Sequence, residues 1–331
     1  MKWHAFWIAV AAAVWQPAEA QSAPSPLQAT PDVIQVGPTR TIKTIAASAM
    51  NARAGAIIDV DSGVYEADVA VWQRDNITIR AVGGRVRLVA KGAAAEGKGI
   101  WVVRAKGMRV EGFDFEGTAV PSRNGAGIRL ESGSLHVKDC SFTHNEMGLL
   151  TGNDPNTELV VQDSEFAYNM RPDGHNHNLY AGRIAKLTVK DSYFHHATVG
   201  HLLKSRAAVS EITNNRLVDG EGGRASYELE FPNGGVVTVT GNTIAQSTTT
   251  ENSILISFGA EGYAWPRNTI SLENNRLVNP LAWDGVFLRV APGADAVRAV
   301  GNCLVGGSIS ARSGVAWQLR GMDCRGLKAS Q

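Results

Sequence analysis

Ionisable side chains that can perform acid–base chemistry are concentrated in three short segments of this chain, residues 173–178, 201–206 and 224–230. Five of the eight histidines lie between positions 175 and 201. A lysine and an arginine follow in the second segment, and the third segment combines an arginine with two glutamates. This concentration predicts that the three segments meet in one site.

These residue types match the three functions that β-elimination of a uronic acid polymer requires: neutralising the carboxylate, removing the C5 proton and protonating the leaving oxygen. Arg206 and Arg224 offer planar forks to the carboxylate. Lys204 can take the C5 proton if a neighbouring guanidinium favours its neutral form. Tyr180 or His175 can supply the proton to the leaving oxygen. We therefore predict these five residues as the catalytic set.

Glu228 and Glu230 are the candidate ligands of a calcium ion, the one cofactor that the sequence suggests. Hard carboxylate oxygens suit Ca²⁺, which can spread the charge of an enolate intermediate. Further contacts to the substrate are expected from four side chains, Asn178, His177 and His201 in the same segments and Arg289 in a later coil.

Structural interpretations of the same residues remain open. Lys204 and Arg206 can be solvated charges on a sheet face, since outward positions are usually polar. The two glutamates can form cross-strand ion pairs with them. His177 and His201 fall at inward registers, where a hydrogen-bonded core histidine is an alternative to a catalyst.

The elements that must position these residues follow a repeated pattern. Eight copies of an alternating apolar motif occur, each closing on a bulky apolar residue, at intervals typical of solenoids. An asparagine recurs just before this position in the later copies and predicts a side-chain ladder between stacked coils. The closing residues are Phe115, Phe142, Phe166, Phe194, Leu217, Ile244, Leu277 and Leu304, and the ladder is Asn215, Asn242, Asn275 and Asn302.

A second strand in each coil carries the candidate site. Strict alternation along these strands turns one row inward and the rows on either side of it outward. The sequence therefore predicts an all-β, single-stranded right-handed parallel β-helix whose outer face holds the site. The predicted inward row is Leu179, Leu203, Leu229, Ile256 and Leu288; the outward rows are Tyr180, Lys204, Glu230, Ser257 and Arg289, and Asn178, Leu202, Glu228, Leu255 and Phe287.

The N-terminal residues 1–20 are predicted to be a cleaved signal peptide, with a positive start, an apolar run and a small-x-small cleavage site. A leader over 21–40 and a short capping helix within 41–52 follow, and the β-helix domain is expected over 41–325. Export to the periplasm or the medium permits a disulfide between Cys303 and Cys324, whereas Cys140 is expected to be a buried thiol.

Composition narrows the range of partners. The net charge is +1 and aromatic residues make up only 7% of the chain, which disfavours nucleic acid as a ligand. No segment after the signal peptide is long and apolar enough to span a membrane. We expect a monomer that binds an acidic polysaccharide.

The segments SGVYE and NITIRAVGG, at 62–66 and 76–84, resemble the entry to pectate-lyase-like β-helix proteins, and this resemblance extends over about 41–319. The segment LLKSRAAVSEITNNRL, at 202–217, resembles the alginate lyase and chondroitinase B group. That resemblance implies that Lys204 is the base, that Arg224 is the acid or carboxylate clamp, and that acidic side chains hold calcium. The triplet Asp-Gly-His at 173–175 resembles the Asp-Pro-His motif of mannuronan C5-epimerases, with glycine in place of proline.

The sequence thus predicts an exported polysaccharide lyase that cleaves a uronate-containing polymer by β-elimination. Three alternatives use the same fold: a C5-epimerase, which begins with the same proton abstraction, a glycoside hydrolase, and a non-catalytic solenoid that binds carbohydrate.

Overall fold

The computed structural model of the protein describes residues 1–3, 32–171, 173–281 and 285–306. Apart from one short helix, the regular structure of these residues consists of parallel strands in two sheets, one of 19 strands and one of nine. The predicted all-β, right-handed parallel β-helix is therefore confirmed.

The elements in chain order are β1 (Val33–Val36), α1 (Ile45–Asn51), β2 (Ile57–Glu66), β3 (Ala70–Trp72), β4 (Thr78–Val89), β5 (Gly99–Val103), β6 (Met108–Glu111), β7 (Phe113–Glu116), β8 (Ala126–Leu130), β9 (Ser134–Lys138), β10 (Ser141–Thr143), β11 (Met147–Thr151), β12 (Glu158–Gln162), β13 (Glu165–Ala167), β14 (His177–Ala181), β15 (Lys186–Lys190), β16 (Tyr193–His195), β17 (His201–Ser205), β18 (Val209–Thr213), β19 (Arg216–Val218), β20 (Tyr227–Phe231), β21 (Val236–Thr240), β22 (Thr243–Ala245), β23 (Ile254–Phe258), β24 (Thr269–Glu273), β25 (Arg276–Asn279), β26 (Val286–Val290), β27 (Ala296–Val300) and β28 (Cys303–Gly306). The nine-stranded sheet consists of β3, β5, β8, β11, β14, β17, β20, β23 and β26.

The closing apolar residues of the eight copies pair with one another from coil to coil, as predicted. Four of them are phenylalanines whose rings stack nearly parallel in the interior, with centroid separations of 4.9, 4.6 and 4.7 Å. These separations are close to the spacing between paired strands of about 4.8 Å. The core is thus a column of equivalent side chains, one for each coil.

The predicted asparagine ladder is also confirmed. The backbone N–H of Asn215 donates to Asn242 Oδ1 at 2.7 Å, and that of Asn242 donates to Asn275 Oδ1 at 2.9 Å. Asn275 continues the series to Asn302 Oδ1 at 3.0 Å. Each side chain in this buried row therefore satisfies backbone groups that the turn leaves without a partner.

Each coil contributes two consecutive strands to the larger sheet, for example β6 and β7. The chain turns a corner between these two strands, and the residue at the corner has a left-handed backbone conformation. The residue at this corner has a φ between 48° and 85° in all eight coils of β6 to β28. Only glycine, asparagine and aspartate occur there, the residues that tolerate this conformation best. They are Gly112, Asp139, Asp163, Asp191, Asn214, Gly241, Asn274 and Gly301.

The N-terminal end differs in one respect from the prediction. Helix α1 lies inside the predicted range, begins after the N-cap Thr44, and packs against β1 and β3. Asp68 accepts hydrogen bonds from the first backbone N–H groups of the helix, at 2.6 and 2.9 Å. However, β1 already pairs with β2, so the last residues of the predicted leader belong to the sheet because their alternating apolar side chains extend it.

Other N- and C-terminal predictions fall partly outside the described residues, namely the signal peptide, Cys324 and the domain boundary at 325. Cys140 is buried, as expected. Within the described part of the chain, no helix has the length and apolar character needed to cross a membrane.

Candidate functional site

One predicted outward row is aligned in the nine-stranded sheet as the sequence indicated. Tyr180 pairs with Lys204, Lys204 with Glu230, Glu230 with Ser257 and Ser257 with Arg289. We call this series the outer row. Each member comes from a different strand, so the parallel register alone brings residues from distant parts of the sequence into line.

The second predicted outward row faces the interior instead. Asn178 is fully buried; its amide donates to the backbone carbonyls of Phe166 and His195, and its Oδ1 accepts from Asn169. Glu228 is also fully buried. The prediction that Asn178 and Glu228 face outward is therefore wrong, and a substrate cannot reach either side chain in this conformation.

The physical reason is that these strands do not alternate strictly at their first residues. Pairing between β14 and β17 omits the second position of each strand, where Asn178 and Leu202 lie. Both Leu202 and Leu203 are fully buried in the core, so two successive side chains face inward. Burial of both apolar residues is more favourable than exposing one of them.

His177 and His201 consequently lie on the outer face, not at the inward register that the sequence suggested. Their rings stack at 4.5 Å, and the His201 ring also stacks on Tyr227 at 5.1 Å. His177 contacts the Tyr180 ring edge-on at 5.2 Å. The Nδ1 atoms of the two histidines are 2.8 Å apart, which is hydrogen-bond distance.

Burial keeps both histidines in their neutral form. It lowers the pKa of His201 to about 3, with a further contribution from the positive charge of Lys204. It lowers the pKa of His177 well below its usual value, and the neighbouring His201 adds to this effect. Both imidazoles are therefore neutral at neutral pH, and a neutral imidazole has one nitrogen that can accept a proton.

Lys204, Arg206, Glu230 and Glu261 form a compact charge cluster at the centre of the outer row. Lys204 Nζ lies 2.8 Å from Glu230 Oε2 and 3.2 Å from Glu261 Oε1. Arg206 lies 2.7 Å from Glu261 Oε2 and contacts Asn233 Oδ1. These two cations and two carboxylates balance one another. The ion-pair interpretation of the sequence is confirmed for Glu230 with Lys204, whereas Arg206 pairs with Glu261 and not with Glu228.

Tyr180 joins this cluster through Arg206. The guanidinium Nε donates to the Tyr180 hydroxyl oxygen at 2.8 Å. The Tyr180 ring also lies 5.8 Å from the Arg206 guanidinium carbon and 6.0 Å from Lys204 Nζ. Tyr180, Lys204 and Arg206 are thus brought together, which is the convergence that a catalytic site on this face requires.

The candidate proton donor Arg224 lies apart from this group. It is in the loop before β20, its side chain is 52% exposed, and it pairs with Glu251. Its backbone N–H donates to the Ala197 carbonyl, which fixes the loop against the preceding coil. Among the described contacts of Arg224 there is none with Lys204 or Tyr180.

His175 and Arg289 flank the cluster. His175 is exposed just before β14, has a left-handed backbone with φ of 62°, and lies close enough to His201 to affect its electrostatics. The preceding Asp173 is paired with Arg171 at 2.8 Å and with Arg123 at 3.2 Å. Arg289 lies three strands beyond Lys204 in the outer row.

The two remaining histidines of the sequence cluster belong to another surface. His195 and His196 lie at the end of β16 in the larger sheet, where His195 Nε2 is 2.9 Å from Glu165 Oε1. The His196 ring stacks on Tyr168 at 4.7 Å. These two histidines lie apart from the outer row, because the chain turns between β16 and β17.

The predicted calcium ligands do not fit a shared metal site. Glu228 lies in the interior, where burial and the nearby charge of Asp219 raise its pKa well above the usual value. Glu230 lies in the outer row and is paired with Lys204. No group of three or more acidic, histidine or cysteine side chains in the described ranges converges in a way that could hold a metal ion.

Glu261 is the member of the cluster that the sequence analysis missed. It lies in the loop after β23, and Trp265 of the same loop donates from Nε1 to the Arg206 carbonyl at 3.1 Å. A signal was present, since the interval from Ile244 to Leu277 is the longest between successive closing residues. Extra residues in one coil indicate a loop that has a function beyond connecting two strands.

No family model matches this chain, and no curated protein does. Among solved structures it is similar to a pectate lyase, with 9% identity over 89% of this chain and 82% of that chain and a TM-score of 0.52. A pectin methylesterase mutant in complex with a hexasaccharide has 13% identity, 85% and 92% coverage and a TM-score of 0.46. An alginate lyase from Paenibacillus sp. has 11% identity, 85% and 99% coverage and a TM-score of 0.40. The likeness to the pectate lyase shows that the chain has the pectate-lyase-like β-helix fold.

Proposed function

We propose that this protein is an exported polysaccharide lyase that cleaves a uronate-containing polysaccharide by β-elimination on the outer row. The observation that carries this proposal is the convergence of Tyr180, Lys204 and Arg206 on one face, beside two neutral histidines. This group offers cationic, proton-donating and proton-accepting side chains within one surface.

In the proposed reaction, a base removes the C5 proton of a uronate, the electron pair forms the C4–C5 double bond, and the C4–O bond breaks. The leaving oxygen takes a proton from an acid. The C5 proton is acidic enough only when the neighbouring carboxylate is neutralised by positive charge or hydrogen bonds. No oxidant or further reactant is required.

Lys204 and Arg206 are the groups that neutralise the substrate carboxylate. A lysine held in two ion pairs is an ammonium that donates and has no lone pair to accept a proton, which makes Lys204 a clamp for an anion and not the base. Glu261, on the exposed loop, is the carboxylate that the substrate carboxylate would replace. Arg206 supplies the planar fork.

Tyr180 is the proton donor and His201 the base in this proposal. The Arg206 guanidinium donates to the Tyr180 hydroxyl oxygen and leaves the hydroxyl hydrogen free to be given to the leaving oxygen. The neutral His201 ring, kept in place between His177 and Tyr227, has a nitrogen that can accept the C5 proton. Its pKa of about 3 in the free protein makes it a weak base, and the negative charge of a uronate bound beside Lys204 makes it a stronger one. Arg224, Glu228 and a calcium ion have no role in this scheme.

The experiment is to incubate the protein with alginate, pectate and glycosaminoglycans and to follow the ultraviolet absorbance of the new double bond. We expect Tyr180→Phe and His201→Gln each to lower kcat about 10²–10⁴-fold, the usual contribution of general acid–base catalysis. Lys204→Gln should lower kcat as well as raise KM, because it removes part of the charge that neutralises the substrate carboxylate. Arg224→Gln is the matched control, because its partner Glu251 lies outside the cluster, and it should leave both constants within about twofold.

A second candidate, glycoside hydrolysis, is favoured by one observation. Glu230 and Glu261 both contact Lys204 Nζ, and one of these carboxylates is buried while the other is exposed. Two close carboxylates in different environments are the arrangement that glycosidases use as acid and nucleophile or base.

The same incubation separates these reactions. New reducing ends without a double bond, abolished by Glu230→Gln, would contradict the lyase and support hydrolysis. Deuterium uptake at C5 from heavy water without chain cleavage would support the epimerase instead. Binding without any change in the polymer would favour a carbohydrate-binding solenoid.

A further inference from the structure

The outer row extends beyond the charge cluster in both directions. Towards the N-terminus, Tyr180 pairs with Leu150, and Leu150 pairs with Arg129. Towards the C-terminus the row reaches Arg289 through Ser257. Each of the two arginines therefore lies three strands away from Lys204, at a distance of about 14 Å along the sheet.

The Arg129 guanidinium is half-buried and unpaired. Its Nε is buried without a hydrogen-bond acceptor, and the described residues provide no ion pair or hydrogen bond to its side chain. Burial lowers the pKa of Arg129, an effect that the weaker attraction of Glu131 only partly offsets. Glu131 itself is already paired with Lys98 at 2.6 Å and with Arg104 at 2.6 Å.

A partly desolvated guanidinium without a carboxylate is a strong binding group for an external anion. Desolvation has already been imposed by the fold, so an incoming carboxylate gains a charge-assisted, bidentate contact in a site of reduced polarity. Arg289 is also partly buried, and it has no ion pair or hydrogen bond within the described part of the chain. Other arginines on this face, such as Arg206 and Arg104, are engaged by carboxylates.

Between Arg129 and Tyr180 the outer row is apolar and is occupied by Leu150. Leu150, Met147 and Ala126 form a small buried cluster of their own, against which Tyr180 packs. Beyond Arg129 the row continues with Val102 and Val71, which pair with each other, so Arg129 is the last charged residue at this end.

We propose that Arg129 is a carboxylate-binding subsite for the uronate polymer and that Arg129 and Arg289 together hold this polymer parallel to the β-helix axis. Their separation of six strand spacings, roughly 29 Å, corresponds to several sugar units. The substrate is therefore a uronate oligomer long enough to reach an arginine at each end of the row. This inference rests on the proposed action on uronates.

The test measures binding of uronate trimers and hexamers by calorimetry to wild type, Arg129→Gln, Arg129→Lys and Arg289→Gln. We expect wild type to bind the hexamer more tightly than the trimer. Arg129→Gln should weaken hexamer binding about tenfold or more, the equivalent of one charged hydrogen-bonded contact. Arg129→Lys keeps the positive charge but loses the planar guanidinium, so its affinity for the hexamer should be intermediate. This variant replaces Arg129→Gln in the test if the glutamine variant is poorly folded.

The matched control is Arg109→Gln, which removes an exposed arginine from β6 of the other sheet and should leave affinity for both oligomers unchanged. Hexamer binding that is equally tight in wild type and both Arg129 variants would overturn the subsite while leaving the proposed function intact. If wild type bound no uronate oligomer more tightly than a neutral hexasaccharide, the proposed function would be overturned and this inference with it.

Discussion

The interior position of Glu228 makes the stability of this protein dependent on pH. The side chain is fully buried, and its pKa is raised well above 4.5, chiefly because burial disfavours the charged form. In the unfolded chain the same group ionises near pH 4.5. The unfolded state therefore loses this proton first as the pH rises, and the free energy of unfolding falls from that pH upward.

Replacing Glu228 with glutamine removes this titration while keeping the shape of the side chain. We predict that Glu228→Gln is more stable than wild type by a margin that grows by about 1.4 kcal/mol for each pH unit above the unfolded pKa, until the folded pKa is reached. Urea unfolding at pH 4, 6 and 8 measures this. The exposed Glu158→Gln is the control, and a margin that does not change with pH would show that Glu228 is already ionised in the folded protein.

The prediction of the site from the sequence depended on one assumption, that successive side chains of a strand point to opposite faces of the sheet. The outer row was predicted correctly, because register between parallel strands follows from the apolar pattern. His177, Asn178 and Glu228 were assigned to the wrong faces, because the assumption of strict alternation fails where Leu202 and Leu203 are both buried. Glu261 was missed because it reaches the cluster from a loop, and alternation says nothing about loops.

At the scale of elements, the asparagine ladder ties together the ends of successive strands. Asn242 accepts from the backbone and side chain of Asn215, and its amide donates to the Ile212 carbonyl at 2.8 Å and to Asn275 Oδ1 at 3.0 Å. Its loss would leave donors and acceptors unpaired on both neighbouring coils, at a cost larger than the mean value of a single hydrogen bond.

We predict that Asn242→Ala lowers the free energy of unfolding by about 2–4 kcal/mol, within the range for loss of a buried polar network. Chemical denaturation of wild type and variant checks this value. Asn51→Ala, an exposed asparagine at the end of α1, should change stability by no more than about 0.5 kcal/mol. Equal effects of the two substitutions would mean that the ladder adds nothing beyond an ordinary surface contact.

The elements themselves could be predicted in most respects, and what was missed has a physical cause. The closing residues from Phe115 to Leu304 and the ladder from Asn215 to Asn302 are apolar or amide groups at a constant register, so the pattern was visible. The strand β1 was assigned to the leader, because one short alternating run next to prolines carries little signal. The left-handed corners were not predicted, although a glycine, asparagine or aspartate at the same place in every coil indicates such a backbone conformation.

At the scale of the whole β-helix, each coil pairs only with the coils before and after it. Phe166, for example, stacks between Phe142 and Phe194 and contacts no phenylalanine farther along the column. Stability in such an arrangement is the sum of terms for each coil and each interface between neighbours. A substitution that destabilises one coil should therefore affect that coil and its two neighbours most strongly.

We predict that Phe166→Ala costs about 3–5 kcal/mol, as for other buried phenylalanines, and that the loss of protection is local. Hydrogen exchange followed by mass spectrometry should show faster exchange in β10 and β16, which flank β13, while β25 and β28 keep their wild-type rates. Uniformly faster exchange along the described strands would show instead that the β-helix unfolds as a single cooperative unit.

The left-handed corners also bear on how a chain of this kind can change in length. Because every coil from β6 to β28 turns at the same place with the same backbone conformation, each coil begins and ends in equivalent geometry. Duplicating or deleting the genetic segment for one whole coil would rejoin the backbone without a new bend. The number of coils can thus vary in steps of one, while a partial coil would interrupt the ladder.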